Sequence, residues 1–104
     1  NIMSNFDCII SPSRPSVAPP IDQYFDAVIS ADGKQDEIGA LSNLLGLPAI
    51  SVPNGFSDIS LPTGLQFIGR PNDENSIINV ASWYQISTRW HDIHPKHLLK
   101  DTQN

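Results

Sequence analysis

The sequence predicts a small α/β unit, a fragment of a mixed β-sheet covered by helices, and three observations carry that prediction. Two short apolar runs, Ala49 to Val52 and Leu65 to Ile68, are each framed by glycine and proline as strands are. Two stretches repeat apolar residues at helical spacing and carry start or stop signals. The 104 residues are 39% hydrophobic and include nine prolines and six glycines, which suits one loop-rich domain rather than a helical bundle.

Taken in order, residues 5–11 are expected to form a strand. Phe6, Cys8, Ile9 and Ile10 make a continuous apolar run, the pattern of a central strand covered on both faces. Residues 11–20 hold four prolines and three serines, so a Pro-rich loop with extended, polyproline-like backbone is expected there. Residues 21–36 show no clean period, and Tyr24 to Ile29 suits either a helical turn or a marginal strand. From Asp36 to Leu45 a helix is expected: Ile38, Leu41, Leu44 and Leu45 recur at helical spacing, Asp36 caps the start, and Gly46 and Pro48 end it.

The strand from Ala49 is expected to close in a turn at Pro53-Asn54-Gly55, and the second strand is bracketed by Gly64 and Gly69. The twelve residues between Val52 and Leu65 allow an antiparallel pair joined by a long loop. Asn72-Asp73-Glu74 then starts the longest helix, Glu74 to about Arg89, with Ile77, Val80, Ala81 and Tyr84 as its buried stripe. Residues 95–104 are expected to be a frayed polar tail. Residues 1–104 therefore read as a single domain or fragment, and a start at Asn rather than Met points to a piece of something larger.

A formal charge of −5, with six scattered basic residues, argues against nucleic acid or a membrane surface as partner. No apolar run approaches the roughly 18 residues that span a bilayer. With no charged-then-apolar leader either, a cytoplasmic protein is expected. The single cysteine, Cys8, sits in an apolar run, where it packs as a small hydrophobe rather than serving as a thiolate.

Gly-x-Ser-x-Gly, phosphate-binding loops, dinucleotide fingerprints and paired cysteines are all missing, so no cofactor is expected. His91, His94 and His97 have a spacing that would line one helical face, but Pro95 interrupts it, and a solvated segment is expected rather than a metal site. Asn43 and Gln66 are amides inside tightly framed apolar runs. Each is expected to tie neighbouring loops together through hydrogen bonds, with substrate contact as the other reading. Arg70, between a strand and a helix start, is expected to neutralise a carboxylate or cover that start, with substrate anchoring as the other reading.

These residues also carry a resemblance. Asn43-Leu-Leu-Gly-Leu-Pro-Ala-Ile-Ser-Val-Pro-Asn-Gly55, followed by Leu61-Pro-Thr-Gly-Leu-Gln-Phe-Ile-Gly-Arg-Pro71, closely resembles the C-terminal region of the amidase signature family. Asp7-Cys8-Ile9-Ile10-Ser11-Pro12, with Ala18-Pro19 after it, resembles the family's strand and Pro-rich loop that shape the substrate cavity. The resemblance implies the C-terminal part of the amidase signature fold, with Pro12, Ser13 and Pro15 on the wall of the pocket. Asn54 departs from the pattern, since many relatives carry Cys or another small residue there.

The family's chemistry uses a Ser, a cis-Ser and a Lys on segments that lie upstream of the region matched. No Gly-Gly-Ser-Ser-like run occurs, and Lys34, Lys96 and Lys100 all lie in polar contexts, so no catalytic residue is expected in this chain. The resemblance thus implies a C-terminal segment of an enzyme hydrolysing carboxylic amide C–N bonds by acyl transfer to serine. Its partners would be the upstream part of the same enzyme and, for the whole enzyme, a small-molecule amide. Alone, the chain is expected to be inactive and to self-associate through uncovered strand edges and apolar faces. The alternatives are a free-standing, non-catalytic binding module of the same descent, or part of an amidotransferase A subunit.

Overall fold

The structure, a computed structural model, describes residues 2–23 and 37–96. Three strands, β1 (Cys8–Pro12), β2 (Ala49–Phe56) and β3 (Pro62–Gly69), form one sheet in the order β1-β3-β2. Both pairings are antiparallel. Among the described residues two helices, α1 (Glu37–Leu45) and α2 (Glu74–Thr88), accompany the sheet, with short 3-10 turns at Ile2–Asn5, Ile21–Gln23 and Trp90–Asp92. The Tyr24–Ile29 stretch, the Asp36 cap, His97 and most of the 95–104 tail lie outside the described residues.

β3 is central because it takes a ladder on each side, and this corrects the expectation for β1. Cys8 to Pro12 pairs only with Gly69 to Leu65 among the described residues, which leaves β1 at an edge. Its apolar run is not covered on both faces: Ile9 is 37% and Ile10 59% exposed. A continuous apolar run signals burial somewhere, but it cannot say whether the burying partner lies within the same chain.

The expected turn at Pro53-Asn54-Gly55 is instead a β-bulge. Pro53 faces Gly64 and Gly55 faces Thr63, so Asn54 is the extra residue, and β2 runs on to Phe56. A bulge tolerates a proline in a strand because the ladder is already interrupted there. The long loop accordingly shrinks to Asp58-Ile59-Ser60, closed by the Ser57 N–H donating to the Leu61 carbonyl at 2.8 Å, with Ser60 left-handed at φ 64°.

α1 ends as its sequence requires. Gly46 has φ +67°, the Leu47 N–H donates to the Ser42 carbonyl at 2.9 Å, and the Gly46 N–H donates to the Asn43 carbonyl at 3.2 Å. That pair of bonds satisfies two helix-end carbonyls, and a residue without Cβ takes the left-handed position at least cost. α2 begins after Asp73, whose carboxylate accepts the Ser76 hydroxyl at 2.8 Å, and stops at Arg89, left-handed at φ 60°.

The core lies between α2 and one face of the sheet. Val52, Phe67, Ile77 and Ala81 are buried together, with Cys8, Ile50, Leu65 and Tyr84 packed around them. Phe67 and Tyr84 meet edge to face, with ring centroids 6.1 Å apart. Val80 does not join the buried stripe and is 36% exposed. At 100° per residue it falls on the margin of the face centred on Ile77, Ala81 and Tyr84. The opposite sheet face carries Ile9, Ser11, Gln66, Ile68, Ala49 and Ser51 by strand alternation. There Ile9 and Ile68 share a small hollow with Leu41, Leu45 and Leu47, the last of which follows α1.

Candidate functional site

The site is a groove of about 960 Å³ where the Pro-rich segment leaves β1 and passes the bulged end of β2 and the start of β3. That volume is typical of small-molecule sites. Its formation follows from the backbone. The Ser13 N–H donates to the Gly64 carbonyl at 2.9 Å, carrying the β1–β3 ladder one residue past Pro12. From Ser13 to Pro20 no strand is formed, and Pro15, Pro19 and Pro20 hold the segment away from helix, so that it forms a wall facing β2 and β3.

Three of the residues singled out from the sequence, Pro12, Ser13 and Pro15, lie on this wall, beside Val17 and Pro19. Facing them are Ser51, Asn54, Thr63 and Gly64, none of which the sequence had placed on the pocket. The overlooked signal was strand alternation, which sets Ser51 opposite Gln66 on the face away from the core. The Ser13 and Ser51 hydroxyls are hydrogen-bonded to each other. One row further along, the Thr63 hydroxyl donates to Asn54 Oδ1 at 2.7 Å, which ties the bulged residue to β3.

Gly64 makes the first of these pairs sterically feasible. A Cβ at that position would sit 2.8 Å from Ser13 Oγ, 3.1 Å from Ser13 Cβ and 3.1 Å from Ser51 Oγ. The two serines therefore meet across the space a side chain would fill. No lysine, histidine or carboxylate is on the groove's lining among the described residues. A serine without a base is a hydrogen-bonding group and not an activated nucleophile. This wall can bind and orient a ligand, and it offers no means of attacking one.

The other polar residues singled out have different surroundings. Asn43 is exposed on α1, and its neighbour Ser42 is the polar residue buried there, at 3% exposure, among residues 41–45. Among residues 41–45 only Ser42 is buried, and Leu44, expected inside, is 84% exposed. The stitching role read for Asn43 is thus reduced to its backbone carbonyl, which accepts from Gly46. Gln66 is buried at 8% exposure, yet among the described residues its Nε2 has no hydrogen-bond partner, and neither does the buried hydroxyl of Ser11 beside it in the sheet. Arg70 reaches back to the residues before β1: its Nε donates to the Phe6 carbonyl at 3.0 Å and Nη2 pairs with the Asp7 carboxylate at 2.9 Å. His91 lies 3.3 Å from Asp92, and His94 is exposed. Among the described residues no group of three His, Cys, Asp or Glu is arranged to hold a metal ion, and no helix is long and apolar enough to cross a membrane.

Residues 1–78 match the Amidase family, and that span contains all three strands and the whole lining of the groove. The chain belongs to the amidase family. Among its relatives, the A subunit of glutamyl-tRNA(Gln) amidotransferase from Thermodesulfovibrio yellowstonii is 43% identical over 90 residues, covering 86% of this chain and 18% of that protein. The corresponding A subunit from Clostridium kluyveri is 41% identical over 104 residues, covering 100% of this chain and 20% of that protein. The crystal structure of the Thermotoga maritima A subunit superimposes with a TM-score of 0.67 at 38% identity, over 77% of this chain and 17% of that one. This amidase-family chain thus spans about a fifth of the length of its relatives. Its α/β architecture is that of the amidase signature fold.

Proposed function

We propose that these residues supply one wall of the substrate cavity of an amidase-family enzyme that cleaves carboxylic amide C–N bonds. The observation that carries this reading is that the family match over residues 1–78 encloses every residue lining the groove. In the proposed reaction an activated serine attacks the amide carbonyl, backbone amides hold the oxyanion, and water releases the acyl group. The Ser, cis-Ser and Lys that do this belong to a part of the polypeptide preceding Asn1. The prolines keep the wall stiff, and its hydroxyls orient the substrate. Pro12, Ser13 and Pro15 are the wall residues of this reading, while Gln66 and Arg70 have structural roles.

A second reading, part of an amidotransferase A subunit, is favoured by the names of the relatives above. Amide hydrolysis by the full-length protein alone supports the first. A requirement for other subunits and glutamyl-tRNA(Gln) supports the second.

The isolated 104 residues provide the test of where the chemistry lies. They are expected to show no amide turnover and to elute from a sizing column as more than a monomer. Self-association is proposed because the outer edge of β1 has no strand partner among the described residues, while Ile10 is 59% and both Trp83 and Ile86 are 76% exposed. Serine-dependent hydrolysis by the purified chain would sink the reading that the nucleophile lies elsewhere.

A further inference from the structure

We propose that Gly64 determines specificity in the groove: by leaving its position open it lets the Ser13 and Ser51 hydroxyls meet, and the pair binds an oxygen atom on the acyl part of the substrate. The inference rests on the amidase reading above.

When two serines share one hydrogen bond, one proton is committed between them, and the other hydroxyl keeps its proton together with spare acceptor lone pairs. Ser51 is exposed and Ser13 partly so, and both line the groove, so the spare proton is available to a ligand. Around the pair the wall is largely apolar, with Pro12, Pro15, Val17 and Val52 among its residues. A polar pair in such a wall fixes the orientation of whatever binds. The nearby Thr63 hydroxyl is already committed to Asn54. With no base at the pair, its chemistry is recognition of a hydroxyl or carbonyl oxygen, distinct from the scissile carbonyl, which the proposed reaction places among backbone amides.

Gly64 sets the geometry. A methyl group there would stand 2.8 Å from Ser13 Oγ and 3.1 Å from Ser51 Oγ, so the hydroxyls would have to part. The position thus controls whether the groove offers a joined donor and acceptor pair or two separated hydroxyls.

The test uses the full-length enzyme containing this chain, with butanamide and 4-hydroxybutanamide as probes, and reads the ratio of their kcat/KM values. The wild type is expected to favour the hydroxyamide. Ser51→Ala and Ser13→Ala each lower the ratio about three- to tenfold, the worth of one hydrogen bond, mainly through KM. Gly64→Ala lowers it similarly and also lowers the Tm. Adding Ser13→Gly to Gly64→Ala relieves the clash and is expected to restore the Tm but not the ratio, which separates recognition from packing. A ratio unchanged in both serine variants, with butanamide still hydrolysed, overturns the inference and leaves the amidase reading standing. No turnover of either amide by the wild type overturns the amidase reading, and the inference with it.

Discussion

The two faces of the sheet differ in how much of their own requirement they meet. On the α2 face, Val52, Phe67, Ile77 and Ala81 close around one another, and no buried side-chain polar atom there lacks a partner among the described residues. On the other face, Ser11 and Gln66 hold buried polar atoms without partners among the described residues, Leu44 and Leu45 of the neighbouring helix are exposed, and the groove opens at the end. A face whose groups satisfy one another folds for its own sake. A face left with orphaned polar groups keeps hydrogen-bonding capacity to spare, for water or for another segment. The chain spans about a fifth of the length of its amidase-family relatives.

The contrast can be broken most forcefully at Phe67, 2% exposed on the central strand β3. Phe67→Ala is expected to cost about 3–5 kcal/mol, enough to abolish a cooperative urea transition in a chain of this size. A shift below about 1 kcal/mol would mean that the α2 face is not the true core. Gln66→Met probes the other face with a smaller effect of opposite sign. Removing an unpaired buried amide is expected to stabilise the isolated chain by about 1 kcal/mol in chemical denaturation. In the full-length enzyme the same change is expected to destabilise, and a gain in both settings would show that nothing docks against Gln66.

The smallest effect is expected at the edge that joins the two faces. Asp7 is 86% and Arg70 42% exposed, so Asp7→Ala should cost no more than about 0.5 kcal/mol of stability. That loss should vanish in about 1 M salt, where exposed charges are screened. A loss that survives high salt would assign the tie to the Arg70–Phe6 carbonyl bond instead.

Much of the fold could be read from local chemistry. Gly46 and Pro48 ended α1 within a residue of expectation, and Asp73-Glu74 opened α2 where the acidic residues suggested. The central segments of β2 and β3 were legible because glycine and proline bracket them. The site was legible on one side only. Pro12, Ser13 and Pro15 stood out through a resemblance, whereas Ser51 and Gly64 are ordinary residues of apparent strands, and nothing local to either shows that Ser13 crosses above them.

The chain by itself determined its class, its helix ends, its family and the absence of a Gly-Gly-Ser-Ser-like run from these 104 residues, because all of these depend on residue types at short spacing. Tertiary structure decided that β3 rather than β1 is central, that Pro53-Asn54-Gly55 bulges instead of turning, and that Ser42 is buried in place of Asn43. It also joined Ser13 to Ser51 across 38 positions of sequence. Those outcomes depend on which long-range pairings win the competition for backbone hydrogen bonds and apolar contact, and that competition is resolved only when the distant segments meet.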